Sequence, residues 1–149
     1  AMKLFSDTSA EPAFFIGLMS GTSLDGVDTV ICRIDSSNSF SLLYSETYPI
    51  PKQLKKELLS LSQDRLYNEL DHYAELDVRM GHLFADCCLL LLKKNNLKAE
   101  QICAIGSHGQ TLRHYPTQQY PTTLQIGDPN IIAWKTGITT IADFRRKDM

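Results

Sequence analysis

The chain has 149 residues, 43% hydrophobic and 21% charged, the composition of a globular protein with apolar material for one core. A formal net charge of −2 excludes any electrostatic reason to expect nucleic acid or an anionic membrane as a partner. The longest apolar stretch, Cys87 to Leu92, is closed by Lys93-Lys94-Asn95-Asn96 and is far too short to span a bilayer.

Residues 1–12 form a polar, acidic N-terminal tail unlike a signal peptide, and Ala1 before Met2 resembles a cloning scar. Three strand-like runs follow, at about 13–19, 27–34 and 40–48, with short polar connections that predict antiparallel neighbours. The first connection is rich in small polar residues: Ser20, Gly21, Thr22, Ser23, Asp25 and Gly26. A glycine-and-hydroxyl turn lets backbone N–H groups and hydroxyls converge on phosphate oxygens without a side-chain clash. Asp25 and Asp28 add acceptors for a hydrated Mg²⁺. No lysine lies between Gly17 and Asp28, and strand-forming residues follow the turn, so it is neither a P-loop nor a dinucleotide-binding turn. An ordinary β-hairpin would also use this glycine and aspartate, but it would not need so many hydroxyls.

Pro51 opens a helix whose apolar stripe is Leu54, Leu58 and Leu61. A longer helix is predicted from about Leu66 to Lys94. Its stripe is Leu70, Tyr73, Met80, Phe84, Cys87 and Leu91, flanked by Ala74, Val78, Gly81, Ala85 and Cys88. Glu75 and Arg79 are spaced as an i,i+4 pair, and His72 and His82 are expected to face solvent. A short strand, 102–106, then ends at Ser107-His108-Gly109-Gln110, and another strand covers 122–126. Asp128 and Pro129 read as N-cap and first residue of a helix to Thr136, which Gly137 ends before a last strand, 138–144. This order predicts a mixed sheet with flanking helices. No C-x-x-C spacing occurs among Cys32, Cys87, Cys88 and Cys103, and buried reduced thiols are the expectation, which suits a cytoplasmic location.

Two polar clusters fall at predicted strand ends, where ligands bind in such sheets. They are Ser107, His108 and Gln110, and Asp143, Arg145, Arg146 and Asp148. The first could instead be a loop bonded to its own backbone, and the second a local salt-bridge network.

The string Gly17-Leu18-Met19-Ser20-Gly21-Thr22-Ser23-Leu24-Asp25-Gly26-Val27-Asp28 resembles the N-terminal signature of the anhydro-N-acetylmuramic acid kinases. The segments Gly106–Thr111, Thr123–Pro129 and Thr136–Asp148 resemble the same family in the same order, so the likeness spans nearly the whole chain. The resemblance implies an α/β fold: a ribonuclease-H-like mixed sheet with flanking helices, one lobe of an actin-like ATPase fold, over residues 13–149. It implies ATP and Mg²⁺ as cofactors, with Gly21, Thr22, Ser23, Leu24, Asp25, Gly26, Val27 and Asp28 at the phosphates and Asp25 reaching the metal through water. Ser107, His108, Gln110, Asp143, Arg146 and Asp148 would bind the sugar.

The implied reaction phosphorylates 1,6-anhydro-N-acetylmuramic acid with hydrolytic opening of its anhydro ring, a step of peptidoglycan recycling. Family members continue into a second lobe that supplies the catalytic base. No catalytic residue is therefore expected within this chain, the missing C-terminal lobe is its expected partner, and a homodimer is an open option. A hydrolase built on Ser23 or Ser107 with His108 is a competing reading, without a G-x-S-x-G elbow to support it. A non-catalytic, truncated nucleotide- or sugar-binding module is another.

Overall fold

In the computed structural model, residues 12–21, 23–63, 69–115 and 122–142 are described. Strands β1 (Ala13–Ser20), β2 (Val27–Ile34) and β3 (Phe40–Tyr48) form an antiparallel meander, as their spacing predicts. The β2–β3 turn is closed by Asp35, whose carboxylate accepts the N–H groups of Ser37 (3.0 Å) and Ser39 (2.9 Å) and the Ser37 hydroxyl (2.7 Å). Those bonds, the Ser37 hydroxyl foremost, hold its pKa below the usual carboxylate value.

Helices α1 (Lys52–Gln63) and α2 (Glu69–Lys94) then carry the chain to β4 (Ile102–Tyr115), which pairs parallel to β1. A parallel neighbour requires such a crossover, because a tight turn can only reverse the chain. Strand β5 (Thr122–Ile126) folds back antiparallel on the far half of β4. Helix α3 (Pro129–Thr136) leads to β6 (Thr140–Ile141), parallel to β4 at Ile105 and Gly106. The sheet order is β3-β2-β1-β4-β5, with β6 on β4. This mixed sheet with flanking helices is the ribonuclease-H-like arrangement of one actin-like lobe.

The period-2 alternation of β1 and β2 decides which face is covered. Ile16 and Leu18 of β1, with Val27 and Ile31 of β2, are buried, whereas Met19 and Asp28 are exposed. The buried set meets Leu54, Leu58 and Leu61 of α1 and Leu76, Met80, Phe84 and Leu91 of α2. The predicted stripe of α2 holds from Met80 onward and at Tyr73, which packs against the core, but fails at Leu70 and its flank. Leu70 is 79% exposed, Ala74 and Val78 are exposed, and the buried residue of that turn is Leu76. The geometry explains this: Leu76 lies one turn from Met80 on the same side, whereas Val78 is about 200° from Met80 around the helix.

Two further expectations are corrected. Strand β4 does not stop at Gly106 but runs to Tyr115, so Ser107, His108 and Gln110 lie within it. Strand β6 covers only Thr140–Ile141 of the expected 138–144, and the positions from 143 lie outside the described residues.

Helix α3 starts and stops as its sequence dictates. The Asp128 carboxylate accepts the Asn130 N–H at 2.8 Å, Pro129 follows, and Gly137 closes the helix in the left-handed conformation (φ 73°). The segment before it is clamped onto α2. The Tyr73 hydroxyl donates to the Gln125 carbonyl (3.2 Å), and the Asp77 carboxylate accepts the Gly127 N–H (2.9 Å). Gly127 sits at φ 112° against the Phe84 ring, where a Cβ would overlap the ring atoms. Glycine is therefore required there twice, by conformation and by space.

Burial raises the pKa of Asp77, nearby Asp128 adds to the rise, and the Gly127 N–H only partly offsets it. A raised carboxyl pKa in the folded state means that the proton stabilises the fold. That contribution is complete below the unfolded pKa and is lost as pH rises through the folded value. An Asp77→Asn substitution keeps an acceptor for Gly127 and carries no charge. Its Tm relative to the parent should therefore climb as pH is raised from about 3 to about 6. Parallel Tm–pH curves from scanning calorimetry would show that the carboxyl does not contribute in this way.

Candidate functional site

The β1–β2 connection, residues 21–26, lies where β1 ends, directly beside β4. Leu24 fixes its shape. The residue adopts φ 55°, uncommon for a bulky side chain, and stays there because that side chain is 5% exposed in the core. Its N–H closes a turn onto the Gly21 carbonyl at 3.1 Å. With Leu24 anchored below, Gly21, Ser23 and Asp25 are left exposed above. The Ser23 hydroxyl and the Asp25 carboxylate thus stand on the exposed side of the loop.

The other predicted loop residues are placed differently. Val27 is the first residue of β2, paired with Ser20 and fully buried. Asp28, exposed on β2, accepts the Thr47 hydroxyl of β3 at 2.6 Å and lines a shallow depression with Val30, Ser45 and Glu46. Gly26 is buried, and a Cβ there would stand 2.7 Å from Thr47 Cγ2 and 2.9 Å from the Tyr48 carbonyl oxygen. Close approach of β3 therefore accounts for glycine at 26. At Gly21 the nearest atom to a Cβ would be Ser23 Oγ at 3.8 Å, so the fold leaves that position open. Thr22 lies outside the described residues.

Strand β4 brings the predicted Ser107, His108 and Gln110 cluster to the same place. Between the pairs Leu18–Ser107 and Ser20–Gln110, β1 advances two residues while β4 advances three. The extra residue makes a bulge at His108–Gly109, and Gly109 takes the left-handed conformation (φ 70°) that such a bulge favours. The bulge turns both Ser107 (2% exposed) and Gln110 (1% exposed) inward and leaves His108 half-buried. The Ser107 hydroxyl accepts the Gly109 N–H at 3.2 Å. Gln110 reaches under the β1–β2 loop. Its Nε2 donates to the Gly21 carbonyl (3.1 Å) and the Thr111 carbonyl (3.0 Å), while its Oε1 accepts the Ser20 hydroxyl.

The β1–β2 loop, at the carboxyl end of β1, and the Ser107–Gln110 bulge, in the middle of β4, therefore lie side by side on adjacent parallel strands. Ser20, read from the sequence as one of the hydroxyls of the turn, is instead the buried last residue of β1. Its signal was its parity, which matches buried Ile16 and Leu18 rather than exposed Met19. Asp143, Arg146 and Asp148 lie outside the described residues.

Among the described residues no three His, Cys, Asp or Glu side chains gather as a metal cage. Asp25 fits a different arrangement: a single exposed carboxylate suits an ion that keeps its waters and takes other ligands from phosphate. The cysteines are free thiols. Cys87 and Cys88 are buried, and desolvation pushes Cys87 up to about 12 and Cys88 higher still, so both are inert. Cys32 and Cys103, expected to be buried, are only half-buried. His72 and His82 are half-buried rather than solvent-facing, beside Glu57 (3.8 Å) and Lys135 (3.2 Å) respectively. Arg79 makes its closer ion pair with Glu57 (2.6 Å), and the expected Glu75 partner stands at 3.8 Å.

A sequence profile of the family described as anhydro-N-acetylmuramic acid kinase matches residues 13–149. A protein of that name from Photobacterium profundum is 53% identical over 135 residues, covering 91% of this chain and 36% of the relative. The protein of the same name from Vibrio parahaemolyticus is 54% identical over the same shares of each chain. A Coxiella burnetii counterpart is 49% identical over 135 residues, covering 91% of this chain and 35% of the relative. The chain thus spans little more than a third of the length of the relatives it matches, in their N-terminal portion.

The two loop glycines should separate in mutagenesis. Gly26→Val should cost about 1–3 kcal/mol of stability by overpacking against β3. Gly21→Val should leave thermal stability nearly unchanged and act only on ligand binding. Equal losses of Tm in the two variants would contradict this division.

Proposed function

The chain belongs to the anhydro-N-acetylmuramic acid kinase family, and on that footing we propose that residues 13–149 are the N-terminal ribonuclease-H-like lobe of an ATP-dependent sugar kinase. The reaction is conversion of 1,6-anhydro-N-acetylmuramic acid to N-acetylmuramic acid 6-phosphate with hydrolytic opening of the anhydro ring. The observation that carries this reading is the register of β1 against β4, which sets the glycine-and-hydroxyl loop beside the Ser107–Gln110 bulge. A phosphoryl donor and its acceptor hydroxyl must meet in one cleft with the attacking and leaving oxygens in line.

ATP supplies the γ-phosphoryl group, and Mg²⁺ screens the charge on its oxygens. The residues of this chain bind and orient. Gly21, Thr22 and Ser23 offer amide and hydroxyl donors to phosphate, and Asp25 holds the hydrated ion. Among the other loop positions of the family signature, Leu24, Gly26, Val27 and Asp28 shape and anchor the turn. His108, with Ser107 behind it, faces the sugar. Asp143 and Asp148 bind its hydroxyls, and Arg146 grips its lactyl carboxylate, because a guanidinium binds a carboxylate through two parallel hydrogen bonds.

The catalytic base comes from the second lobe, which is also the first partner of this one. Buried, unreactive Cys87 and Cys88 support a reducing, cytoplasmic setting. A homodimer of the complete enzyme is part of the same proposal. The share of the relatives that the chain spans favours one further reading, a module that binds nucleotide or sugar without turnover.

Residues 1–149 alone should give no ADP in a coupled assay with the anhydro-sugar, and turnover that survives repurification would overturn the assignment of the base to a second lobe. In the full-length kinase, Asp25→Asn should weaken the dependence on Mg·ATP more than the affinity for sugar. His108→Ala should raise KM for the anhydro-sugar and leave nucleotide affinity nearly unchanged. Weakened ATP binding with normal sugar kinetics would place His108 in the other half of the cleft.

A further inference from the structure

Gln110 is 1% exposed and Ser20 4% exposed, and their side chains form a buried polar contact. The hydrogen-bonding capacity of Gln110 is fully engaged on the donor side. One Nε2 proton goes to the Gly21 carbonyl (3.1 Å) and the other to the Thr111 carbonyl (3.0 Å), while Oε1 takes the Ser20 hydroxyl proton. The Ser20 hydroxyl also lies 3.4 Å from the Gly26 carbonyl. The Ser20–Gln110 pair thus ties the Gly21 end of the phosphate loop to β4, and the Ser20 hydroxyl packs beside the Gly26 carbonyl at the other end. A carboxamide with both protons committed and no exposed surface cannot donate to a sugar hydroxyl unless these bonds break.

We propose that Ser20 and Gln110 are positioning residues for the phosphate loop, a buried clasp that holds the Gly21 carbonyl inward and so fixes the adjoining peptide plane for phosphate. The rigidity of the peptide unit makes this effective, since fixing one carbonyl direction fixes the whole plane. Burial makes it strong, because a buried polar group left without its partner loses more than the bond contributed. The clasp gives Gln110 a role distinct from the sugar-facing one that its motif suggests. It also links nucleotide and sugar sides, because His108 lies on the same bulged strand two residues away. The assignment rests on the phosphate-loop reading above.

The test is amide hydrogen exchange on the 149-residue chain, comparing Ser20→Ala, Gln110→Met and the double variant. Each single variant should speed exchange of the Leu24 N–H, which is bonded to the clasped Gly21 carbonyl, at least tenfold while β2 and β3 keep their protection. The double variant should do no more than the larger single, because both remove one clasp. Ser20→Thr, which keeps the hydroxyl, should restore slow exchange, and this pair decides the matter if Gln110→Met fails to fold. Unchanged loop exchange in Ser20→Ala, or additive effects in the double variant, would overturn the clasp.

In the full-length kinase, Gln110→Met should raise KM for ATP about tenfold with KM for the anhydro-sugar unchanged. The opposite split would make Gln110 a sugar ligand and end the proposal. Failure of the phosphate-loop reading itself would look different: Gly21→Val would then keep full turnover while the exchange results stood.

Discussion

The parallel pairing of β1 with β4 is the constraint from which the rest of the molecule follows. Two parallel strands cannot be joined by a tight turn, so α1 and α2 must carry the chain across one face of the sheet, and they bring the apolar residues that form the core. Parallel pairing also puts the carboxyl ends of both strands at one edge. The β1–β2 loop, at the end of β1, thereby meets the bulge within β4, although β2, β3 and both crossover helices separate them in sequence. An antiparallel pairing of the same strands would place them at opposite ends of the sheet.

A second layer of organisation comes from α2, which does more than cover the sheet. Tyr73, Asp77 and Gly81 recur every four residues, and together they receive the backbone from Gln125 to Asp128. A Cβ on Gly81 would lie 3.0 Å from the Asp128 carbonyl, so small size there matters as much as the hydrogen bonds of its neighbours. This side of the helix fixes where β5 ends and α3 begins. Since Ile126 pairs with Gln110, it also fixes the far side of the strand that supports the phosphate loop. The segment 123–129 serves as a docking element in this lobe.

Most of the fold was legible in local signals that act over a few residues. The three opening strands, the stripe Leu54-Leu58-Leu61, the Asp128-Pro129 start and the Gly137 stop all appear where the sequence puts them. The errors share a cause: each depended on a partner remote in sequence. The continuation of β4 past Gly106 needs β5 beside it. Gly26 looked like a glycine that makes room for phosphate, but Thr47 and Tyr48 of β3 require it. Gln110 looked like a ligand-binding amide at a strand end. Nothing local announces that a bulge at Gly109 turns it under a loop formed some ninety residues earlier.

The contact between Phe84 and Gly127 bears on how such a sequence can drift. The ring of Phe84, itself fully buried, fills the space where a Cβ on Gly127 would stand, and Gly127 has a positive φ of 112°. Neither position can change first without loss. A side chain at 127 collides with the ring, and a smaller residue at 84 opens a cavity beside Gly127. The two sites therefore behave as one heritable unit: a change at either is tolerated best when the other changes with it.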